Sequence, residues 1–256
     1  MMPWIRWLGL ARQIDVMRKR EELMAGLIRK VAKDSDCFTR PLITMIGGYA
    51  LRAFVPFARY TRDCDFVLPK GEGWEIDRIP GWFGGGLKTE TLEKHETYGF
   101  LRLIDFLKVG SKSAPVAIDF MEGEVRGRTS EQVILIDDEF VKNRTSVKLR
   151  IGPTDVELYV PNYIDYFILK VVSGRPSDVR DIAALVWEND IPDGLDDRIE
   201  EILPSPSIFR TNIIESILPD ISDKRFVESW RGTFVVNSFD EEAKEKVLER
   251  IRGQLE

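Results

Sequence analysis

Between residues 10 and 31, apolar side chains recur at helical spacing. Leu10, Ile14 and Met17 are followed by Leu23, Leu27 and Val31, with Arg, Lys and Glu between them. A stripe repeating every three to four residues buries one face of a helix and leaves the other in water, which predicts a helix over residues 4–33. The period then changes. DSDCFTRP interrupts it, and LITMI is a short β-rich run that ends at Gly47-Gly48. A helix is expected from Ala50, giving way at Pro56. DCDFVLP alternates with the two-residue period of a strand and stops at Pro69.

Residues 70–99 carry Gly71, Gly73, Gly81 and the triplet Gly84-Gly85-Gly86 among Trp74, Trp82 and Phe83. A glycine-rich loop with aromatics is either a lid or substrate contact, or a surface insertion. FLRLIDFLKV and PVAIDFMEGEV then face each other across GSKSAP, the pattern of a hairpin or meander. Short strands continue over 133–160 and end at VELYVPN. From Tyr163 the helical period returns in YIDYFILKVVSG and PSDVRDIAALVWEND. Pro204 and Pro206 break it before the amphipathic DEEAKEKVLERIRGQLE. The chain divides into an α/β half, residues 1–155, and a mostly helical half, residues 156–256.

Composition narrows the class. Hydrophobic residues at 43% and charged residues at 31% describe a folded globular protein. No apolar run approaches the roughly 20 residues of a membrane helix, and no membrane association is expected. MMPWIRWLGLAR lacks a basic leader and a small-residue cleavage site, so it reads as the start of the first helix rather than a signal peptide. Cys37 and Cys64 are too few for a disulfide framework and point to a reducing, cytoplasmic compartment. His95 is the single histidine, which excludes the common His-rich zinc sites and argues against a His-based hydrolytic triad. Any metal would sit on oxygen ligands. The net charge of −6 opposes coating of a nucleic-acid duplex but leaves room for a local basic patch.

The candidate chemistry lies in carboxylates. Asp63 and Asp65, two apart on the predicted strand, leave the same face, while Cys64 and Phe66 point into the core. Two such carboxylates repel unless a cation neutralises them, and hard oxygen ligands suit Mg²⁺. Asp119 in VAIDFM lies on another apolar strand; if the two strands are neighbours, three carboxylates converge as a two-metal phosphoryl-transfer site requires. Asp105 in LIDFL shares that context and is the alternative third carboxylate; Asp119 is preferred because it follows the hairpin. Gly47-Gly48 permits close approach of backbone to a phosphate, or is simply a turn. Arg59 and Arg62, flanking Thr61, either neutralise phosphate charge or form surface ion pairs.

IGGYAL and RYTRDCDFV, with the later VAIDFM, resemble the signature of the nucleotidyltransferase superfamily of DNA polymerase beta type. That signature is a hydrophobic residue, Gly-Gly or Gly-Ser, then Asp-x-Asp between apolar residues, and a third Asp on a later strand. The 14 residues between Gly48 and Asp63 fit a full helix. LKVVSGRPSDVRDIAAL resembles the segment after the core in the AbiEii-like branch, which includes nucleotidyltransferase toxins. The match falls on Lys170, Arg175, Asp178, Asp181, Ile182 and Leu185. The likeness runs over residues 25–187, and residues 196–256 match nothing.

The resemblance implies an α+β fold: a nucleotidyltransferase-type mixed β-sheet flanked by helices, with a mostly helical C-terminal part. It implies transfer of NMP from NTP to an acceptor hydroxyl with Mg²⁺ or Mn²⁺ held by Asp63, Asp65 and Asp119, Asp119 also helping to deprotonate the acceptor. Gly47, Gly48, Arg59 or Arg62, and Lys170 would hold the triphosphate, with Asp178 and Asp181 building the nucleotide site. The partners implied are tRNA or other RNA and a cognate antitoxin. RGR at 126–128 and VKNRTSVKLR at 141–150 offer phosphate contacts or are plain solvated strand edges.

Plainer readings stand beside these. Ser177 or Asp178 can N-cap a helix and Asp181 complement its dipole, whereas Lys170 in an apolar helix needs an anion. His95 reads as a loop residue. Trp4, Trp7, Trp187 and Trp230 read as packing, and Trp82 with Phe83 as a candidate base-stacking platform. Two other functions remain open: a non-catalytic nucleotide-sensing or toxin–antitoxin module, and a nucleotidyltransferase acting on an antibiotic-type hydroxyl. The presence of all three carboxylates favours an enzyme.

Overall fold

The computed structural model describes residues 3–57, 59–71, 73–109 and 112–255, with side chains from residue 14 except those of Val109 and Lys112. The packing expected of Trp4, Trp7 and Leu10 lies outside the described side chains.

Helix α1 (Pro3–Asp34) is the expected first helix, and its stripe of Met24, Leu27, Ile28 and Val31 is buried. LITMI supplies β1 (Thr44–Ile46). The next helix starts earlier than expected and is shorter: α2 (Gly47–Ala50) leads into a 3₁₀ turn, Leu51–Ala53. Among the described residues no full helix fills the stretch before Asp63. Aromatic anchoring ends the helical path. Phe54 packs on Tyr166 and Tyr163, with ring centroids 4.7 and 5.6 Å away, and Phe57 packs on Phe234 and Trp230, at 5.2 and 5.5 Å.

Strand β2 (Asp63–Leu68) follows, then a 3₁₀ turn and α3 (Ile79–Trp82). Next come β3 (Lys88–Lys94), β4 (Gly99–Val109) and β5 (Lys112–Glu122). The sheet order is β1-β2-β5-β4-β3, mixed because β2 and β5 run parallel while the other pairs are antiparallel. The hairpin loop is tighter than GSKSAP suggested, since Val109 pairs with Lys112 and Pro115 lies within β5. Pro115 is tolerated there because β2 does not reach that part of β5, so it costs no second ladder.

The glycine-rich segment forms a cap on the sheet. Ile76, Ile79 and Phe83 are buried, Trp74 lies 5.6 Å from Trp82, and Trp82 meets Phe120 edge-on at 6.3 Å. Trp82 and Phe83 therefore serve the core rather than forming an open stacking platform. Strand β3, KTETLEK, is the exposed edge, and its charges guard it against pairing with another chain.

Two small hairpins complete the β part: β6 (Glu124–Arg126) with β7 (Val133–Leu135), and β8 (Thr145–Ile151) with β9 (Thr154–Val160). Between them α4 (Asp138–Lys142) is N-capped by Asp137, which accepts from the Phe140 amide at 2.7 Å. Strand β9 spans the expected junction at 155/156. The helices begin at Tyr163: α5 (Tyr163–Ser173), α6 (Pro176–Asn189), α7 (Leu195–Ile202), α8 (Ser207–Asn212), a π-helical turn at Ile213–Ile217, α9 (Leu218–Ser222), α10 (Phe226–Phe234) and α11 (Glu241–Gly253). The fold is α+β. One apolar cluster runs from Met24 through the sheet to Ile251, with Trp230 fully buried and Trp187 packed against it. Among the described residues no helix is long and apolar enough to cross a membrane.

Glu21 joins α1 to the stretch that carries the glycine turn. Its carboxylate accepts from Arg52 at 2.9 and 3.0 Å, from the Tyr49 hydroxyl at 3.2 Å and from the Gly152 amide at 3.1 Å. Every donor in this knot is drawn from a different loop or helix, so one carboxylate fixes three segments. Glu21→Ala is expected to lower the unfolding free energy by about 3 kcal/mol, because Arg52 and Tyr49 stay buried without their acceptor. Urea titration measures it, with a smaller loss for Glu21→Gln.

Candidate active site

The parallel register of β2 and β5 sets Asp65 directly beside Asp119, and Asp63 beside Ala117. Paired positions share a face, so Asp63, Asp65 and Asp119 project together, with neighbouring strands about 4.8 Å apart. The other face carries Cys64, Phe66, Ile118 and Phe120, all fully buried. Phe66 stacks on Phe120 at 5.3 Å and on Phe38 at 6.1 Å, which fixes the facing of both strands.

Crowding of like charge shows in the proton affinities. Burial pushes the Asp65 carboxyl up to about 7, and the Asp119 and Asp63 charges add to the effect, only partly offset by Lys170 and Arg175. Asp63 moves the same way through burial and Asp119, against Arg102, Arg62 and Arg175. Asp119 has a counter-ion: Arg102 Nε and Nη2 donate to its two oxygens at 2.8 and 2.6 Å. Among the described residues, Asp63 and Asp65 have no ion-pair partner.

The glycine turn faces these acids. Ile46 pairs with Asp65, and the chain turns at Gly47 with φ +69°. A Cβ on Gly47 would overlap Asp65 Oδ2, and one on Gly48 would lie 2.9 Å from Thr61 Oγ1 and 3.3 Å from Arg59 Nη2. Both glycines are needed for close approach, not merely for a turn.

Helices α5 and α6 pack against the back of this turn. The Tyr166 hydroxyl donates to the Gly47 carbonyl at 2.7 Å. Lys170 donates to Asp178 and Asp181, each at 2.8 Å; Ser173 donates to Asp178 at 2.8 Å; and Arg59 clamps both oxygens of Asp181 at 2.6 and 2.7 Å. Burial alone would push the Lys170 ammonium down, but Asp178 and Asp181 outweigh it and hold it above its ordinary value. Burial likewise raises Asp178, and Lys170 reverses the sign. The two cations and two anions form a closed, neutral quartet. The residue at the N-cap of α6 is Arg175, with no side-chain cap bond, so neither Ser177 nor Asp178 caps it; Asp178 is held by Lys170 instead.

As the structure stands, Lys170 donates two of its three protons to aspartates and Arg59 donates from Nε and Nη2 to Asp181, so both cations already carry carboxylate partners. Arg62 is exposed and has no ion-pair partner among the described residues. Lys170 still lines a small cavity of about 90 Å³ together with Gly47, Asp65, Ser173, Arg126 and Arg175. This has room for a phosphate-sized group and not for a nucleoside. A larger cleft of about 690 Å³ opens beyond Arg59, beside Arg52, Tyr60, Lys148 and Arg150. Its cations are largely answered: Arg52 by Glu21, and Lys148 and Arg150 by Asp155 at 3.7 and 3.3 Å.

Asp105 does not join the carboxylates. It pairs with Val116, three positions along β4 from Arg102, and its side chain accepts from the Phe106 amide at 2.7 Å. His95 is a loop residue stacked on Tyr98. Arg102, Tyr166, Ser173 and Thr61 were not singled out from the sequence. Arg102 was findable: a hairpin closed between Val109 and Lys112 forces Arg102 opposite Asp119.

No family model and no curated protein sequence matches the chain. Two solved structures are similar over most of it. One, described as a "putative nucleotidyltransferase from H. pylori", has 11% identity and a TM-score of 0.47, covering 91% of this chain and 96% of that one. The other is JHP933 from Helicobacter pylori, with 12% identity and a TM-score of 0.45, covering 91% and 90%. Likenesses of this size carry nothing about activity or substrate.

Among the described residues no three His, Cys, Asp or Glu groups are gathered closely enough to hold a metal as they stand. The donor chemistry nonetheless fits a hard divalent cation. Asp63 and Asp65 offer carboxylate oxygens without an ion-pair partner among the described residues, and Asp119 would offer a third were its carboxylate released from Arg102.

Two outcomes follow. Gly47→Ala is expected to cost roughly 2 kcal/mol or more through left-handed backbone strain and overlap with Asp65. Gly26→Ala, in α1 with nothing within 4 Å of its Cβ, is expected to gain a little; chemical denaturation compares them. Asp65 binds its proton more tightly in the folded than the unfolded chain, so stability falls as pH rises from about 4 through 7. Asp65→Asn removes that loss: in chelator-containing buffer its Tm should exceed that of the wild type by about 5 °C at pH 8 and match it at pH 4.

Proposed function

We propose that the protein is a divalent-cation-dependent nucleotidyltransferase that moves NMP from an NTP to an acceptor hydroxyl. The observation that carries this reading is the trio of in-register carboxylates facing a glycine turn, two of them without counter-ions. A structural acid cluster would be expected to carry its own cations, as the Lys170 quartet does.

In this reading Asp63, Asp65 and Asp119 would hold Mg²⁺ or Mn²⁺, which supplies charge neutralisation and activation of the attacking oxygen when bound. The Gly47-Gly48 backbone admits the triphosphate to within hydrogen-bonding distance of the turn. Arg175 and Arg126, at the mouth of the small cavity, and the exposed Arg62 hold its outer oxygens, while the remaining Lys170 proton meets the group on the cavity floor. The nucleoside lies across the mouth. The acceptor oxygen bonds to the α-phosphorus as the bond to the α,β-bridging oxygen breaks, and pyrophosphate leaves with that electron pair. Asp119 takes the proton of the hydroxyl.

An RNA acceptor, a tRNA 3′ end foremost, and a toxin-like role with a cognate antitoxin rest on the likeness of LKVVSGRPSDVRDIAAL, and a cytoplasmic setting on the low cysteine count. Incubation with each α-labelled NTP, Mg²⁺ and either total RNA or an aminoglycoside is the test. Label transfer is expected with the wild type and a fall of about 10³-fold or more in Asp63→Asn/Asp65→Asn. Equal labelling by the two proteins would defeat the catalytic reading. Label on the aminoglycoside and not RNA would favour the small-molecule reading.

A further inference from the structure

We infer that Arg102 is a built-in counter-ion for the third carboxylate, which a divalent cation must displace, so that Arg102 sets the cation affinity of the site. The inference rests on the cation-dependent reading proposed above.

Three observations lead to it. First, Arg102 caps both oxygens of Asp119, at 2.8 and 2.6 Å, whereas Asp63 and Asp65 carry no such partner. Direct coordination needs a bare oxygen, so two donors are open and the third is latched. Second, the two ends of the pair differ in freedom. The Asp119 side chain is 6% exposed and fixed by β5, while that of Arg102 is 37% exposed and reaches the acid from β4. The guanidinium is the member that can leave. Third, it has somewhere to go. The β3–β4 ladder is bulged between Thr89 and Thr91, with Thr91 opposite Arg102, and Glu90 is the extra, exposed residue at the bulge. Its charge already acts on Arg102, and the Phe100 ring lies 5.9 Å from the guanidinium carbon. Bulges commonly re-aim one side chain of an edge strand.

Arg102 is thus a positioning residue with two carboxylates to serve. On Asp119 it neutralises the most buried acid of the trio. Moved to Glu90 it frees both Asp119 oxygens, and the site gains a ligand without leaving a buried charge unpaired.

The test is the midpoint of Mg²⁺-induced thermal stabilisation, repeated with Mn²⁺, on the full chain without nucleotide. Arg102→Gln is expected to lower the Mg²⁺ midpoint about tenfold and Glu90→Gln to raise it a few-fold, a pair of opposite shifts that a merely structural ion pair would not produce. In an Asp119→Asn background the Arg102→Gln effect should vanish. Arg102→Lys, which keeps charge but not the fork, should fall between wild type and Arg102→Gln, and serves if Arg102→Gln does not fold. Unchanged midpoints, shifts of the same sign, or an Arg102 effect that persists without Asp119 would overturn the inference. Intact shifts in a protein that transfers no label would sink the transferase reading and keep the counter-ion role. Unchanged midpoints in a protein that does transfer label would do the reverse.

Discussion

The constraint on which the rest depends is like charge on one face of a sheet. Asp65 and Asp119 are held side by side by a parallel register, with Asp63 one step along, and the one guanidinium paired with the trio, Arg102, is bonded to Asp119 alone. The cations near that face offset the repulsion only in part. It persists because the opposite face is over-determined: Cys64, Phe66, Ile118 and Phe120 are fully buried, and slipping either strand by one residue would exchange them for the acids. Burying those four side chains is worth several kcal/mol at roughly 25 cal/mol per Å². That exceeds what an acid with a proton affinity near neutrality loses by ionising in place.

The helical half answers a different need. Arg59, Lys170, Asp178 and Asp181 form a neutral quartet, and Tyr166 ties the same helix pair to the Gly47 carbonyl. Buried ion networks add little to stability over well-packed apolar groups, but they fix geometry. Here the geometry fixed is that of the glycine turn against α5 and α6, with Arg59 reaching from the segment before β2 to a helix more than a hundred residues later. The motif that resembles a nucleotide contact also braces the turn. Lys170 also lines the small cavity, with one ammonium proton beyond the two it gives to the aspartates.

Much of this was legible in the sequence, because periodicity and chain geometry decide it. The first helix, β2, the β4–β5 pair, the switch to helix at Tyr163 and the shared face of Asp63 and Asp65 all follow from repeats of 3.6 or 2 residues. Long-range pairing was less visible. That β2 runs parallel beside β5 depends on how β3 and β4 cross, and no local pattern encodes it. The aromatic cap misled for a related reason: Trp82 and Phe83 sit among glycines, as platform residues do, but Phe120 gives them a buried surface to meet. The segment after Gly48 resembled helix by composition, whereas Phe54 and Phe57 draw it to distant aromatic partners. Asp178 matched a capping position, yet a buried lysine claims its carboxylate first, since an unpaired ammonium there costs far more than a missing cap.

Charge balance then limits how an anionic substrate could be held. A triphosphate brings several negative charges to a face that already has three carboxylates. Of the nearby cations, Arg59 belongs to Asp181, Lys170 is shared by two acids, and Arg102 is on Asp119. What remains is Arg126 and Arg175, which line the small cavity, and the exposed Arg62; Arg126 already donates to Glu124, and Arg175 leans on Asp178 from 3.9 Å. Exposed arginines are screened by salt and individually weak. They cannot offset both the phosphates and the acids. The deficit lies at Asp63 and Asp65, which have no ion-pair partner among the described residues, and in the proposed reading a hard dication on those oxygens would remove it. In the proposed reading the same acids that strain the sheet would set the requirement for a cation, and Arg102 would set how tightly it is met.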